Sequence, residues 1–592
     1  MMNNDQQKSI ICYKSSKPSY IYANCPFHMS TEYQFKPHEQ PFMLGSPATP
    51  DHPVRRKIMY LLIGIFIGLT ASFQNGLLVA NLTQIQGELG LTPVEGGWIS
   101  VTYNMTNVCI TVLLYKIRQQ FGMSLFSKIT LFFLLLATSM QWLVSSGLVA
   151  TSISQWLDPY YLEIIARGFG GVVASAMTVL AIFYCLQGMP TAKRISGLIL
   201  GFGLVQFGIP LSRIISPYLA VDGQLENLFL FEFGLTLICF GLINLLELPP
   251  GNTEKVFEKL DILSFAFFAS GLAALSVFLV QGRIQWWTTP WLSYPLIIAG
   301  VTISIALWIE THRKNPMLQV RWMRSRTIIA FMITGAALRI LLSEQSVGAA
   351  GLLATLGYNN DQMIVFYAVI LAASVLALTI SIFRTSAMEL RRPVIFAVAL
   401  ISLGAWMDTG ISMDSAPYMF YTSQFLIAFA AIYFMGPMVF EGMFRAIANG
   451  PAYIISFSVI FSISQTIGGL AGAAAIQAFT TIRTRLHYAD MVGSLNLGNP
   501  ALANQVADAR GALSSQMTDS THASAAAMGQ ILQNIQRQAT VSAYDDLFFL
   551  MGTIATVTTV ILLISYLYYR YHKINPLGKE LAAIAKMREK SQ

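Results

Sequence analysis

The chain has 592 residues, 54% hydrophobic and only 11% charged, with a mean hydropathy of +0.56. Soluble globular proteins carry about 25% charged residues, so the composition excludes an ordinary soluble domain and indicates a polytopic membrane protein. The formal net charge of +8 does not argue for nucleic acid, because the basic residues sit in short loops between apolar runs.

Residues 1–54 are polar and lack a signal peptide's order of basic, apolar and small-residue regions; they read as a disordered cytoplasmic tail, with Met29 and Met43 as alternative start codons. A bilayer-crossing helix needs about 20 apolar residues. At that window the sequence predicts fourteen spans, with cores at 58–80, 96–115, 129–149, 162–186, 196–216, 228–247, 262–281, 291–310, 327–347, 363–383, 393–411, 419–440, 452–478 and 547–569. An even count puts both termini on one side, and Lys and Arg favour cytoplasmic loops. Alternate loops carry Lys116, Arg118 and Lys128, then Lys193 and Arg194, Lys255 and Lys259, five basic residues from Arg313 to Arg326, then Arg384, Arg391, Arg392 and Arg445. The opposite short loops carry only Arg283. Both termini are expected in the cytoplasm.

Residues 479–546, on the other side, are polar, rich in Ala and Gln, and broken at Gly498-Asn499-Pro500. Met528, Ile531, Leu532 and Ile535 recur at helical spacing, which predicts a periplasmic helical hairpin; a partner-binding surface or a solvated linker would both suit it.

No catalytic constellation and no phosphate-binding Gly-x-x-x-x-Gly-Lys-Ser/Thr loop occurs, so neither an enzyme nor an ATP-driven pump is expected. No cofactor is expected. The cysteines (Cys12, Cys25, Cys109, Cys185 and Cys239) lack metal-ligand spacing, and the histidines lie outside the apolar runs, so no metal site is expected either.

Ionisable groups inside spans are functional candidates by default. Arg167 stands in "LEIIARGFGGVVASAMTVLAIFY", either as a working charge or snorkelling to the headgroups. Arg213, Arg339, Glu232, Glu344 and Asp408 also fall within apolar runs, and Asp408 can alternatively sit at the membrane boundary. Arg339 and Glu344, five apart, do not face each other well on one helix, so each needs a partner elsewhere. Gln74, Asn75 and Asn104 could bind a ligand or bond between helices.

The fourteen spans, the long loop before the last one, "RGFGG" (167–171), "GFGLVQFGIP" (201–210) and "THRKNPMLQVRWMRSRT" (311–327) resemble the major facilitator superfamily, in particular its fourteen-span drug:proton antiporter branch of the EmrB/QacA type. The resemblance implies an all-α membrane protein with two six-helix bundles, 55–248 and 327–569. A pair of helices is inserted within 249–326, and a cytoplasmic tail follows at 570–592. It implies efflux of amphipathic or aromatic small molecules across a bacterial inner membrane by proton antiport, with a periplasmic adaptor and an outer-membrane channel as partners. Arg167 matches the family's fourth-span Arg, implied to act in proton coupling; Glu232, Glu344 and Asp408 are the proton-carrying candidates. Gln74, Asn75, Asn104, Arg213 and Arg339 are candidates for the substrate cavity. The chain departs from the pattern where Gln74 replaces a first-span Asp, where Tyr115 and Gln119 replace a Gly and an Asp after span 2, and where Ser212-Arg213 replaces a glycine pair. The departures leave open an uncoupled, uptake or lipid transporter of the same fold, or a non-transporting scaffold or sensor working through the periplasmic loop.

Overall fold

The computed structural model describes residues 20–22, 31–33, 39–41, 44–146, 158–190, 193–194, 196–220, 225–385, 389–493, 500–513, 520–573, 577–578 and 580–583. Cys12, Cys25, most of the expected N-terminal tail and most of 574–592 lie outside these. Two three-residue strands, β1 (Tyr20–Tyr22) and β2 (Thr31–Tyr33), pair antiparallel; everything else of regular structure is helical.

The first bundle comprises α1 (Val54–Glu88), α2 (Pro93–Ser145), α3 (Pro159–Gly188), α4 (Ser196–Leu204) continued through a 3-10 turn by α5 (Gly208–Leu219), and α6 (Glu226–Leu245). The inserted pair is α7 (Lys259–Gln285) and α8 (Ser293–His312). The second bundle begins with α9 (Arg326–Ser343), which passes through a π-helical turn, Glu344–Ala349, into α10 (Ala350–Thr355). It continues with α11 (Ile364–Arg384), α12 (Arg391–Met407), α13 (Tyr421–Tyr433), α14 (Met435–Ile447), α15 (Pro451–Gly493), α16 (Pro500–Leu513) and α17 (Ser520–Tyr571).

Among the described residues, twelve helical stretches are long and apolar enough to cross a membrane. One of them, α2, has 53 residues and reaches about 80 Å at 1.5 Å per residue, enough for two passes. Its path breaks at Gly122, whose φ of 76° is open to glycine and strained for other residues. Helix α12, at 17 residues, is an additional short apolar helix. The helical arrangement is consistent with the fourteen predicted spans and does not by itself establish that number.

Local chemistry sets the starts. Thr92 and Glu95 cap α2 reciprocally, with Thr92 N donating to Glu95 Oε2 at 2.8 Å and Pro93 at the first helical position. Asp158 accepts from Tyr160 N at 2.9 Å to open α3, followed by Pro159. Glu258 and Asp261 form the equivalent box on α7.

Glycines then bring helices into contact. A side chain at Gly171 of α3 would collide with Thr106 Oγ1 and Tyr103 O of α2, and one at Gly208 would meet Ser72 O of α1 at 2.5 Å. Aromatic and branched residues fill the space left: Tyr60, Ile67, Leu131 and Tyr184 in the first bundle, Phe366, Phe420, Phe434 and Phe548 in the second, all 2% exposed or less. The inserted pair lies at the periphery, with only 17% of the apolar window of α8 buried.

On the face bearing the basic loops, an ionic cluster fastens the inserted pair. Asp261, fully buried, meets Lys116 Nζ at 3.2 Å and Arg313 Nη2 at 2.7 Å. Arg313 also bonds Glu310 and Glu258. Glu310 accepts from Ser264 Oγ and from the backbone N–H groups of Met317 and Leu318. This cluster joins the loop after the second span to the loop entering α9, where Gln119 lacks the carboxylate that the resemblance would place in that loop.

Residues 44–53, expected in the tail, form instead a strap across the same face. Gly45 N donates to Asn252 O at 2.9 Å, Ala48 N to Pro250 O at 3.1 Å, and Gln187 Nε2 to Ala48 O at 2.6 Å. The strap is fixed because its backbone groups are paired with the 250–252 loop and the end of α3, and His52 is buried against Tyr60.

On the opposite face α15 and α17 run on beyond their apolar stretches. The 479–546 segment therefore comprises two helical extensions and α16, with residues 494–499 and 514–519 outside the described residues. The predicted stripe is observed: Met528, Ile531, Leu532 and Ile535 are half-buried while Gly529, Gln530, Gln533 and Asn534 are exposed. Asp546 clamps the base, accepting from Arg483 Nε and lying 2.6 Å from His487 Nε2.

Candidate functional site

Arg167 is fully buried, which removes the snorkelling alternative. Glu163, one turn earlier on α3, accepts from its Nε at 2.6 Å. Gln141 of α2, with its amide oxygen turned to the guanidinium, accepts from Nη1 and Nε at 3.1 Å. The main-chain carbonyl of Gln74 accepts from Nη1 at 3.3 Å, and the guanidinium lies 5.7 Å from the Phe229 ring centroid. Nη2 has no hydrogen-bond partner.

Glu232 of α6 belongs to the same cluster. It is 1% exposed, and neither carboxylate oxygen has a hydrogen-bond partner. Arg167 and Glu163 are its charged neighbours, and Gln74 its polar one. Gln74 is fully buried and leaves both side-chain atoms unpartnered, so the position where the resemblance places an Asp faces the Arg167–Glu232 site with a neutral amide. Asn104 donates from Nδ2 to Ser100 O of its own helix at 2.8 Å. Asn75 is half-buried on α1.

The second bundle contains an acidic pair. Gln424 Nε2 of α13 donates to Asp408 Oδ2 at 2.7 Å and to Glu344 Oε1 at 3.3 Å. All three are buried, with Asp408 3% exposed at the C-terminal end of α12, next to the 409–416 loop. Among the described residues no cation pairs with either carboxylate. Glu344 opens the π-helical turn, an irregularity that recurs at functional positions.

The two remaining arginines lie where the bundles meet. Arg213 of α5 donates from Nη1 to Asn360 Oδ1 at 2.6 Å, beside the Tyr367 ring, and Asn360 donates to Ala80 O at 3.1 Å. Arg339 of α9 reaches Gln206 Oε1 in the 3-10 turn between α4 and α5 at 3.4 Å. Towards the basic face, Ser196 Oγ reaches Ile382 O at 3.4 Å and Lys193 lies over the Phe383 ring. The bundles thus touch near both faces and in the middle.

Sequence reasoning named Arg167, Glu232, Glu344, Asp408, Gln74, Arg213 and Arg339 but neither paired Glu344 with Asp408 nor recognised Glu163, Gln141, Gln424 and Asn360. Glu163 had a readable signal in its four-residue spacing from Arg167 on an apolar helix. The others join through tertiary contacts only.

The chain is 21% identical over 484 residues to the Multidrug export protein EmrB of Escherichia coli (strain K12), covering 79% of this chain and 88% of that protein. It is 25% identical over 283 residues to the Multidrug export protein EmrB of Haemophilus influenzae, covering 44% of this chain and 51% of that protein. No family model matches the chain. Among solved structures, the proton:xylose symporter XylE bound to 6-bromo-6-deoxy-D-glucose aligns with a TM-score of 0.47 and 12% identity over 90% of this chain and 100% of that one. Tetrameric PepTSo2 aligns with a TM-score of 0.47 and 15% identity over 87% of this chain and 99% of that one. In sequence the chain is thus similar, over most of its length, to the Multidrug export protein EmrB of Escherichia coli.

Proposed function

We propose that this multi-pass membrane protein exports amphipathic or aromatic small molecules in exchange for protons, with its basic loops and both termini in the cytoplasm. The observation that carries the coupling is that Glu163 holds Arg167 while Glu232 lies beside them with both oxygens unpartnered. An uncompensated carboxylate at that depth costs several kcal/mol, so a proton neutralises Glu232 in this conformation. When Arg167 swings from Glu163 towards Glu232, the proton on Glu232 leaves and the guanidinium takes its place, while Glu163, stripped of its buried partner, takes up a proton in turn. A fixed charge exchanged between two acids ties proton release to bundle movement. The Glu344–Gln424–Asp408 group is a second proton store, since two adjacent carboxylates sharing one amide donor are relieved by one proton between them.

The extensions of α15 and α17, with α16, suit contact with a periplasmic adaptor and, through it, an outer-membrane channel. Part of the Met528–Ile535 stripe is buried within the protein, so the adaptor would meet the exposed polar side.

The test is transport by the purified full chain in proteoliposomes with an imposed pH gradient. Glu232→Gln keeps size but cannot ionise; it should abolish the response to the gradient and leave substrate binding in place. Retained gradient-driven export by this variant would reject Glu232, and a wild-type chain indifferent to the gradient would reject antiport and favour an uncoupled transporter. Deleting residues 500–540 should stop export by cells but spare proteoliposome transport; loss of both would make the extension part of the transporter's own fold or gate.

A further inference from the structure

Where α17 ends and α12 begins, on the face bearing the basic loops, three arginines gather around two tyrosines. The Tyr566 hydroxyl oxygen accepts from Arg392 Nε at 2.7 Å and from Arg570 Nη1 at 3.4 Å, so one neutral oxygen holds two guanidiniums together. Arg391 lies over the Tyr569 ring, 4.1 Å from its centroid. Among the described residues these three cations have one acidic partner, Glu389, whose Oε2 is 3.0 Å from Arg392 Nη1, and both members of that pair are more than half-exposed.

The group carries an excess of positive charge. Arg391 and Arg392 occupy the first turn of α12, which has no acidic residue, and the positive end of the helix dipole works against cations there. Two guanidiniums sharing a phenol repel each other, and one exposed ion pair offsets little of that repulsion. A phosphate meets the deficit, because its oxygens accept several guanidinium N–H bonds at once and the phenol already orients the forks of Arg392 and Arg570.

The surroundings indicate what carries the phosphate. Arg392 meets Tyr566 and Ser402 Oγ meets Thr556 Oγ1 at 2.7 Å, so the two helices run antiparallel, side by side. From the arginines towards the membrane centre their outward faces are apolar: Phe396 and Leu403 on α12, Ile564 and Leu567 on α17, each more than half-exposed. A free phosphate would use the cations and leave these faces idle, whereas a phospholipid uses both.

We infer that the junction of α12 and α17 is a headgroup site for an anionic phospholipid, with the phosphate between Arg392 and Arg570 and the acyl chains along the apolar faces of the two helices. Arg391 closes one side and Tyr569 holds it at the level of the headgroups. The site requires only that the chain spans a membrane, and it stands whichever molecule the protein carries.

The test is lipid binding to the purified full chain, read by native mass spectrometry as phosphatidylglycerol or phosphatidylcholine of equal chain length is titrated in. Phosphatidylglycerol should bind at least about tenfold tighter. Arg392→Gln combined with Arg570→Gln should bring it down to the phosphatidylcholine level. Arg55→Gln combined with Lys57→Gln removes the same charge from the same face at the start of α1 and should leave the preference intact. Tyr566→Phe keeps every charge and removes only the shared oxygen, and it should cost about threefold in phosphatidylglycerol affinity. Phosphatidylcholine binding, unchanged in every variant, separates loss of the site from loss of the fold. A wild type without preference, an unchanged preference in the Arg392/Arg570 variant, or equal loss in the Arg55/Lys57 variant overturns the inference, the last by showing only diffuse attraction to a basic face. Displacement of phosphatidylglycerol by excess inorganic phosphate would also overturn it, making this a free-anion site.

Discussion

Glu163 Oε1 lies 2.6 Å from Arg167 Nε, one turn away on the same helix, and neither side chain is more than 1% exposed. Removing one partner of such a pair strands a buried charge, at a typical cost of about 3–5 kcal/mol. Here Glu232 stands by as a second acid. Glu163→Gln and Glu232→Gln should each be tolerated, because Arg167 retains one carboxylate. The double variant should be destabilised beyond the sum of the two by about 1–3 kcal/mol. Thermal unfolding of the four proteins in detergent measures this, and strict additivity would show that Glu232 never serves Arg167.

The acidic pair predicts a different pattern. Gln424 donates both of its amide hydrogens to carboxylates, at 2.7 and 3.3 Å. Glu344→Gln or Asp408→Asn alone leaves one acid able to carry a proton, so gradient-driven transport should persist at a reduced rate. The double variant should lose any contribution of this store, lowering the number of protons exchanged per substrate. Reversal-potential measurements in proteoliposomes give that ratio. An unchanged ratio in the double variant would make the pair structural.

Much of this was legible before the structure. Apolar runs set the fourteen positions because each span must satisfy its backbone internally, and charges within those runs stood out. Pairings between spans were not legible. Glu344 and Asp408 are 64 residues apart and meet only because Gln424 comes between them, and nothing local records that contact. The strap escaped for a related reason: its order comes from partners at Gln187, Pro250 and Asn252, not from its own composition.

That strap carries a pH signature. Burial, reinforced by Arg56, lowers the pKa of His52 from 6.5 to about 4, while its bond to Gln187 Oε1 at 3.1 Å works against the shift. The unfolded or released strap then binds the proton more readily than the docked one. Docking is at full strength above pH about 6.5 and weakens as pH falls towards 4, by up to about 3 kcal/mol. The protection factors of residues 44–53, that is, exchange divided by the intrinsic rate at each pH, should fall across that window, and His52→Gln should flatten the dependence. Gly45→Ala should loosen the strap at every pH, since φ is 73° and the added carbon would fall 2.8 Å from the Gln119 backbone. Protection factors that are high and equal at pH 5 and 7 in the wild type would contradict the assignment.

The contact between Arg213 and Asn360 predicts how the face opposite the basic loops opens. Asn360 Oδ1 accepts from Arg213 Nη1 at 2.6 Å while its Nδ2 donates to Ala80 O at 3.1 Å, so one side chain from the second bundle holds two helices of the first. Bonds to a charged donor contribute about 1.5–3 kcal/mol, and their loss would shift the open-to-closed ratio at that face by about tenfold or more. Asn360→Ala should therefore favour the state open there. A single cysteine at Val79, whose carbonyl also receives Arg213 Nη2 at 3.4 Å, should react faster with an impermeant thiol reagent in the Asn360→Ala background. In cells with a permeabilised outer membrane the reagent reaches only the periplasmic side, so the same measurement tests the proposed orientation. Labelling confined to inverted vesicles would reverse the topology. Equal rates with and without Asn360→Ala would show that the closure rests on the packed bundle surfaces and not on this contact.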